Sequence, residues 1–129
     1  MNRSLMRKVM RKVSTQLMAL VALAVLSTAV ALAQVAKQRM PESPIAADAL
    51  GWAYFKLGSL DASLVQLKES SGKVPNNPIY HYHLGMAYIA ARRFDLARQS
   101  LIAALRTDPH FPYATNAQSA LERIPPGVH

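Results

Sequence analysis

The sequence predicts an all-α fold: antiparallel helix pairs stacked as a short solenoid of two full repeats and a partial third, behind an N-terminal apolar helix. Two observations predict it. Residues 44–124 echo themselves at a spacing of 34: Leu50-Gly51 returns as Leu84-Gly85, Tyr54 as Tyr88, Leu60-Asp61 as Phe94-Asp95, Leu67 as Leu101 and Pro75 as Pro109. A fixed period of this length marks a helical repeat. Ahead of it, Leu17 to Ala33 is apolar apart from Ser27 and Thr28. No stretch alternates as a strand does. Residues 79–82 (IYHY) are β-favouring types, but their repeat partner is Ile45-Ala46-Ala47-Asp48, and the register outweighs local propensity.

Residues 1–16 are basic and polar, residues 17–33 are apolar, and Ala31-Leu32-Ala33 forms an A-x-A site. This is the layout of a secretory signal peptide over residues 1–33, with cleavage expected between Ala33 and Gln34. The apolar run of 17 residues also sits at the lower limit for a spanning helix, about 17–25 residues, so an uncleaved anchor stays open. The preceding basic cluster would then remain in the cytoplasm. An organelle presequence should be amphipathic, and this run is apolar on all sides. Each reading delivers the repeat region across a membrane, and the leader points to a bacterial periplasm, soluble or anchored to the inner membrane.

Residues 34–43 have no apolar periodicity and read as a linker. Ser43-Pro44 is a helix start, an N-cap followed by proline where its missing N–H costs nothing. Asn77-Pro78 repeats it, whereas the third unit holds Phe111 at the cap. The first helix should run from Pro44 to Leu57 and end at Gly58, a good C-terminal breaker. The second starts near Ser59, with Asp61 facing the positive helix end and Leu60, Leu64 and Leu67 on one face. It stops near Gly72, before the Pro75-Asn76-Asn77 turn. The third runs from Pro78 to about Ala91, turning at Arg92-Arg93 without a glycine. The fourth spans Phe94 to Arg106. The fifth, Pro112 to Ile124, is halted by Pro125-Pro126, and residues 125–129 form a tail that frays toward His129. The repeat domain thus divides as 44–77, 78–111 and 112–124.

Each unit needs small residues where its helices cross. Gly51 and Gly85 should face Ser63 and Ala97, Ser70 and Ala104 should leave room for the next unit, and Leu50, Leu84, Tyr54, Tyr88, Leu67 and Leu101 should fill the core. Stacking continues that core from unit to unit. About three repeats are needed for a stable stack, so two and a half are marginal.

These residues resemble the tetratricopeptide repeat (TPR) family, of bacterial cell-envelope type. Leu84, Gly85, Tyr88, Ala97, Leu101, Ala104 and Pro109 match its pattern throughout. The first unit substitutes Ser63 and Ser70 for two alanines, and Ala47 and His81 stand where the usual tryptophan would be. The resemblance implies a concave groove lined by the first helix of each unit: Asp48, Trp52, Phe55 and Lys56, then Tyr82, Met86 and Ile89, then Tyr113 and Asn116. Aromatic and Met residues there suit an apolar peptide or protein partner. They do not suit the carboxylate clamp of the chaperone-binding subfamily. The resemblance also suggests a scaffold role in exopolysaccharide, pilus or outer-membrane assembly. Two alternatives stay open: Trp52 and Phe55 pack against the linker or a second copy, or the chain is a shortened, self-associating copy of a longer array, a homo-oligomer without a peptide ligand.

Charge and chemistry narrow the rest. Residues 1–40 hold seven basic and no acidic residues, whereas 41–129 hold eight basic and seven acidic. The +8 net charge therefore belongs mainly to the leader, and no nucleic-acid partner is expected, since that needs a basic stripe on the folded part. Membrane contact is expected only through the N-terminal segment, if uncleaved. The absence of cysteine excludes disulfides, thiolate catalysis, cysteine-bound zinc and a lipidated N-terminus. His81 and His83, two apart on a helix, diverge and cannot share a metal; they read as polar-face or groove residues, with His110 in a turn. No nucleophile elbow, zinc-protease or phosphate-loop motif is present. No enzyme, cofactor or metal is expected.

Overall fold

Six helices make up the computed structural model, which describes residues 2–127: α1 Arg3–Arg39, α2 Pro44–Leu57, α3 Leu60–Lys73, α4 Pro78–Ala90, α5 Phe94–Thr107 and α6 Ala114–Arg123. Val128 and His129, from the tail expected to fray, lie outside the described residues. Among those residues there is no strand. Helices α2 and α3 form one antiparallel pair and α4 and α5 a second, with α6 stacked beyond them as half a pair. The architecture is the short helical solenoid read from the sequence.

The N-caps form as the sequence predicts. Ser43 Oγ accepts from the Ala46 N–H at 3.2 Å and Asn77 Oδ1 from the Ile79 N–H at 3.0 Å. Each satisfies an N–H that the first helical turn leaves without a partner. The turns inside the pairs are backbone copies of one another. Gly58 and Arg92 donate to Phe55 and Ile89 carbonyls, and Ser59 and Arg93 donate to Tyr54 and Tyr88 carbonyls. This closure needs a left-handed residue. Gly58 has φ 86°, and Arg92 takes the same role at φ 59°. A non-glycine residue there costs roughly 1–2 kcal/mol, which the packing on both sides must offset.

The two crossings depend on bare glycine. A Cβ on Gly51 would lie 2.7 Å from Leu67, and one on Gly85 would lie 2.8 Å from Leu101. Both leucines are fully buried. In the first unit Ser63 Oγ donates to the Gly51 carbonyl at 2.8 Å, and Ser70 Oγ to the Leu67 carbonyl at 3.0 Å. The serines thus keep the small volume of Ala97 and Ala104 while their hydroxyls find buried partners. Leu50, Leu84, Tyr88, Ala97 and Ala104 are buried and Tyr54 is half-buried.

Two boundaries depart from expectation. The fifth helix begins at Ala114 rather than Pro112. Phe111 is buried in the core instead of standing at a cap. The chain reaches it through a turn in which Asp108 Oδ1 accepts from the His110 N–H at 2.8 Å. Burying Phe111 sets the path of residues 108–113, and the helix starts only after that turn.

The larger correction concerns the linker. Residues 34–39 are helical, the last turns of α1, so only Met40 to Ser43 connect it to α2. Val30 is buried, Gln34 Nε2 donates to the Tyr54 hydroxyl at 2.8 Å, and Lys37 Nζ bonds Glu69 and the Pro41 carbonyl. Lys73 Nζ reaches the same Glu69 carboxylate at 2.8 Å and Glu42 at 2.9 Å. The hydrogen bonds from Lys37 and then Lys73 hold the Glu69 carboxyl below its usual range, and Glu69 chiefly, then Glu42, raises the Lys73 ammonium. The sequence lacked apolar periodicity at 34–43 because this end of α1 is held by polar ties from Gln34 and Lys37, while the one deep apolar contact, Val30, lies a turn earlier.

The rest of α1 makes little contact with the domain. Leu5, Val9, Met10, Leu17, Met18, Leu20, Leu23 and Val25 are exposed. By length and composition the helix can cross a membrane, with a mean hydropathy of 2.2 over its most apolar 18 residues. The A-x-A site, Ala31 to Ala33, lies inside the uninterrupted helix.

Candidate functional site

The inner helices α2 and α4 bring together an aromatic surface, continued by the turn before α6. On α2, residues three and four apart share one face. Asp48, Trp52, Phe55 and Lys56 follow that spacing. Trp52 stacks on Phe55 with ring centroids 4.6 Å apart, and Lys56 Nζ lies 4.9 Å above the indole. From α4 the His83 ring stacks on Trp52 at 4.0 Å and 18°. Tyr82 stacks on Tyr113 at 5.0 Å and 8° and meets Phe111 edge-on at 6.0 Å. Stacked and edge-on pairs of this kind contribute about 0.5–1.5 kcal/mol each beyond their burial.

A polar pair lies beneath the rings. His83 Nδ1 sits 2.9 and 3.0 Å from the two Asp48 carboxylate oxygens, and both side chains are buried. An ionised carboxylate only accepts, so the Nδ1–H donates and the Asp48 contact sets the tautomer. His83 Nε2 makes no hydrogen bond to a described residue. Asp48 also lies close enough to Tyr80 to act on its phenol. Burial first, and then Asp48, pushes that phenol above its usual range. Burial, and then the Tyr113 phenol, does the same to Tyr82. Both phenols remain neutral donors at neutral pH.

The nine groove positions from the sequence separate into three sets and one lone residue, Asn116. Asp48 and Tyr82 are buried and form the floor. Trp52 and Phe55 are half-buried, and Lys56 and Tyr113 are exposed around them. Met86 and Ile89 line a hollow of about 150 Å³ with Phe94, Ala120, Arg123 and Ile124. Asn116 is exposed on α6. Along the expected row the aromatic patch is followed by an apolar hollow between α4 and α6.

His83 was the residue that sequence reasoning placed least well. It read as a polar-face or groove residue, and it lies in the floor of the aromatic patch as a buried partner of Asp48. The 34-residue register aligns Asp48 with Tyr82 and His83 with Ala49, so nothing in the echo pairs Asp48 with His83. The contact joins adjacent units one position off the register. His81 faces the other way, its Nε2 2.7 Å from the Pro75 carbonyl oxygen. Compared with protein-family models and with curated proteins, the chain matches none.

Proposed function

We propose that this chain is a non-enzymatic protein–protein interaction scaffold of the TPR kind, exported to a bacterial cell envelope, where it binds a peptide or protein partner on its inner helices. The observation that carries this reading is the aromatic patch: Trp52, Phe55, Lys56 and Tyr113 reach the surface over a floor locked by Asp48 and His83. Rings held by stacking lose little further freedom when a ligand covers them, which favours binding over a mobile apolar surface. A partly exposed indole beside a lysine suits an apolar peptide segment carrying a carboxylate or carbonyl within reach of Lys56. Assembly of exopolysaccharide, pili or the outer membrane is the process this reading favours.

The test uses the single tryptophan. Partner proteins captured from the envelope fraction are divided into overlapping peptides and titrated against the protein. The bound peptide should shift Trp52 emission, and Trp52→Ala should weaken its binding by tenfold or more. Unchanged affinity in Trp52→Ala would refute the site.

A second reading, self-association, draws on α6, which no second helix follows among the described residues as α3 follows α2 and α5 follows α4. Two copies could cover each other's open ends. A folded monomer across a hundredfold range of concentration would exclude it.

A further inference from the structure

The 34-residue register continues backward into α1. Subtracting 34 from α3, Leu60–Lys73, gives residues 26–39, and subtracting 68 from α5, Phe94–Thr107, gives the same residues. The helix that ends there, α1, stops at Arg39, the residue this register requires. Pro41 stands where Pro75 and Pro109 stand, and Ala36 where Ser70 and Ala104 stand. Buried Val30 corresponds to buried Leu64, and half-buried Leu26, Ala33 and Ala36 correspond to Leu60, Leu67 and Ser70. The face that α1 turns toward α2 is thus the face that α3 turns toward α4. With these residues the stack contains three outer and three inner helices, and α2 is covered on its outward side.

We infer that α1 is kept whole in the mature protein, serving as a bilayer anchor in its first two-thirds and as the first outer helix of the solenoid in its last third, and that it holds the α2–α3 and α4–α5 turns against the lipid surface. The inference rests on the export reading above. Cleavage after Ala33 would cut the outer helix in half and remove Val30, its deepest contact.

Length and direction place the membrane. The last charge before the apolar run is Lys12. The 17-residue apolar run from Leu17 to Ala33 rises roughly 25 Å, near the hydrocarbon thickness of about 30 Å. Its last turn, Val30 to Ala33, therefore lies at the lipid boundary. Helix α2 runs antiparallel to α1, and Gln34 pairs with Tyr54. One turn toward the membrane from Gln34 is Val30, and one turn on from Tyr54 is Gly58. The α2–α3 turn lies at the level of the headgroups. Helix α4 repeats α2, so Arg92 and Arg93 lie at the same level, both exposed. Five basic residues stand toward this end (Lys56, Arg92, Arg93, Arg98, Arg123) against Asp61, Asp95 and Glu122. The surface is suited to anionic headgroups. The five basic residues ahead of Val13 (Arg3, Arg7, Lys8, Arg11, Lys12) would sit at the opposite leaflet.

Two measurements test this. The protein is extracted from membranes and its intact mass determined. Retention of residues 2–33 is expected, and a mature chain starting at Gln34 would overturn the inference while leaving export intact. The full chain, which has no native cysteine, is then labelled at Arg93→Cys or at Asn76→Cys, on opposite ends of the stack. It is reconstituted in vesicles of mixed zwitterionic and anionic phospholipid carrying a headgroup-level quencher. The Arg93 label should be quenched at least threefold more than the Asn76 label. Equal quenching would overturn the orientation.

Discussion

Replacing glycine by alanine at three positions should give results of opposite sign, each set by what a single methyl meets. At Gly85 the new Cβ would lie 2.8 Å from both Leu101 Cγ and Cδ2 and 3.4 Å from the Ala97 carbonyl oxygen. Leu101 is fully buried and cannot swing aside, because its branch point as well as its tip is struck. Overpacking of this kind costs about 1–3 kcal/mol. A blow to the branch point puts the cost in the upper half of that range, and alanine recovers up to ~1 kcal/mol of helix propensity, leaving a net loss of roughly 1–2 kcal/mol. At Gly72 nothing lies within 4 Å and the residue is inside α3. There the propensity gain stands alone, about 0.5–1 kcal/mol of stabilisation near the helix end. At Gly58 space is open but φ is 86°, so alanine should cost about 1 kcal/mol through backbone strain alone. In detergent, urea unfolding followed by circular dichroism should rank the proteins Gly72→Ala, wild type, Gly58→Ala, Gly85→Ala. Each kcal/mol corresponds to about 4–8 °C in Tm for a domain of this size. Adding Leu101→Ala to Gly85→Ala should cost less than the sum of the two changes, because the new methyl then has room. A Gly85→Ala protein as stable as Gly72→Ala would refute the close crossing of α4 and α5.

Two further outcomes rest on the polar contacts. Glu69 has its carboxyl lowered by Lys37 and Lys73, so its contribution is present above the unfolded value of 4.5 and is lost as pH falls through the lower folded value. The wild type should lose about 1 kcal/mol more than Glu69→Gln between pH 7 and pH 3, since the pair is partly exposed; equal losses in urea titrations would show that the tie between α1 and α3 contributes nothing. Asp48→Ala leaves the buried His83 Nδ1–H without its acceptor and should destabilise by about 1–3 kcal/mol. His83→Ala in the same background should then cost little more, and additive losses would separate the two residues.

Much of the fold was legible because its determinants are local or repeat at a fixed interval. Pro44 and Pro78 after their caps, Gly58 at the turn, and small residues at positions 51, 63, 85 and 97 each act within one helix pair. The same spacing shows them twice. The candidate site was legible only in part. Trp52, Phe55 and Lys56 lie on one helix face by periodicity, and Tyr82 and Tyr113 follow at intervals near the repeat. The hydrogen bond between Asp48 and His83 breaks that interval by one residue. Met86 and Ile89 line a hollow closed by α6, whose start depends on burying Phe111.

The sequence by itself determined an all-helical chain, the bounds of α2 to α5 to within a residue, and an apolar segment able to cross a membrane, because composition, caps and a 34-residue period act over short range. Tertiary structure decided what joins to what. Residues 34–39 look like a linker in isolation, since one valine and a few polar groups give no apolar period. They are helical because α1 runs on through them and their side chains meet Tyr54 and Glu69 from other helices. The same holds for His83, whose acceptor lies in the preceding unit.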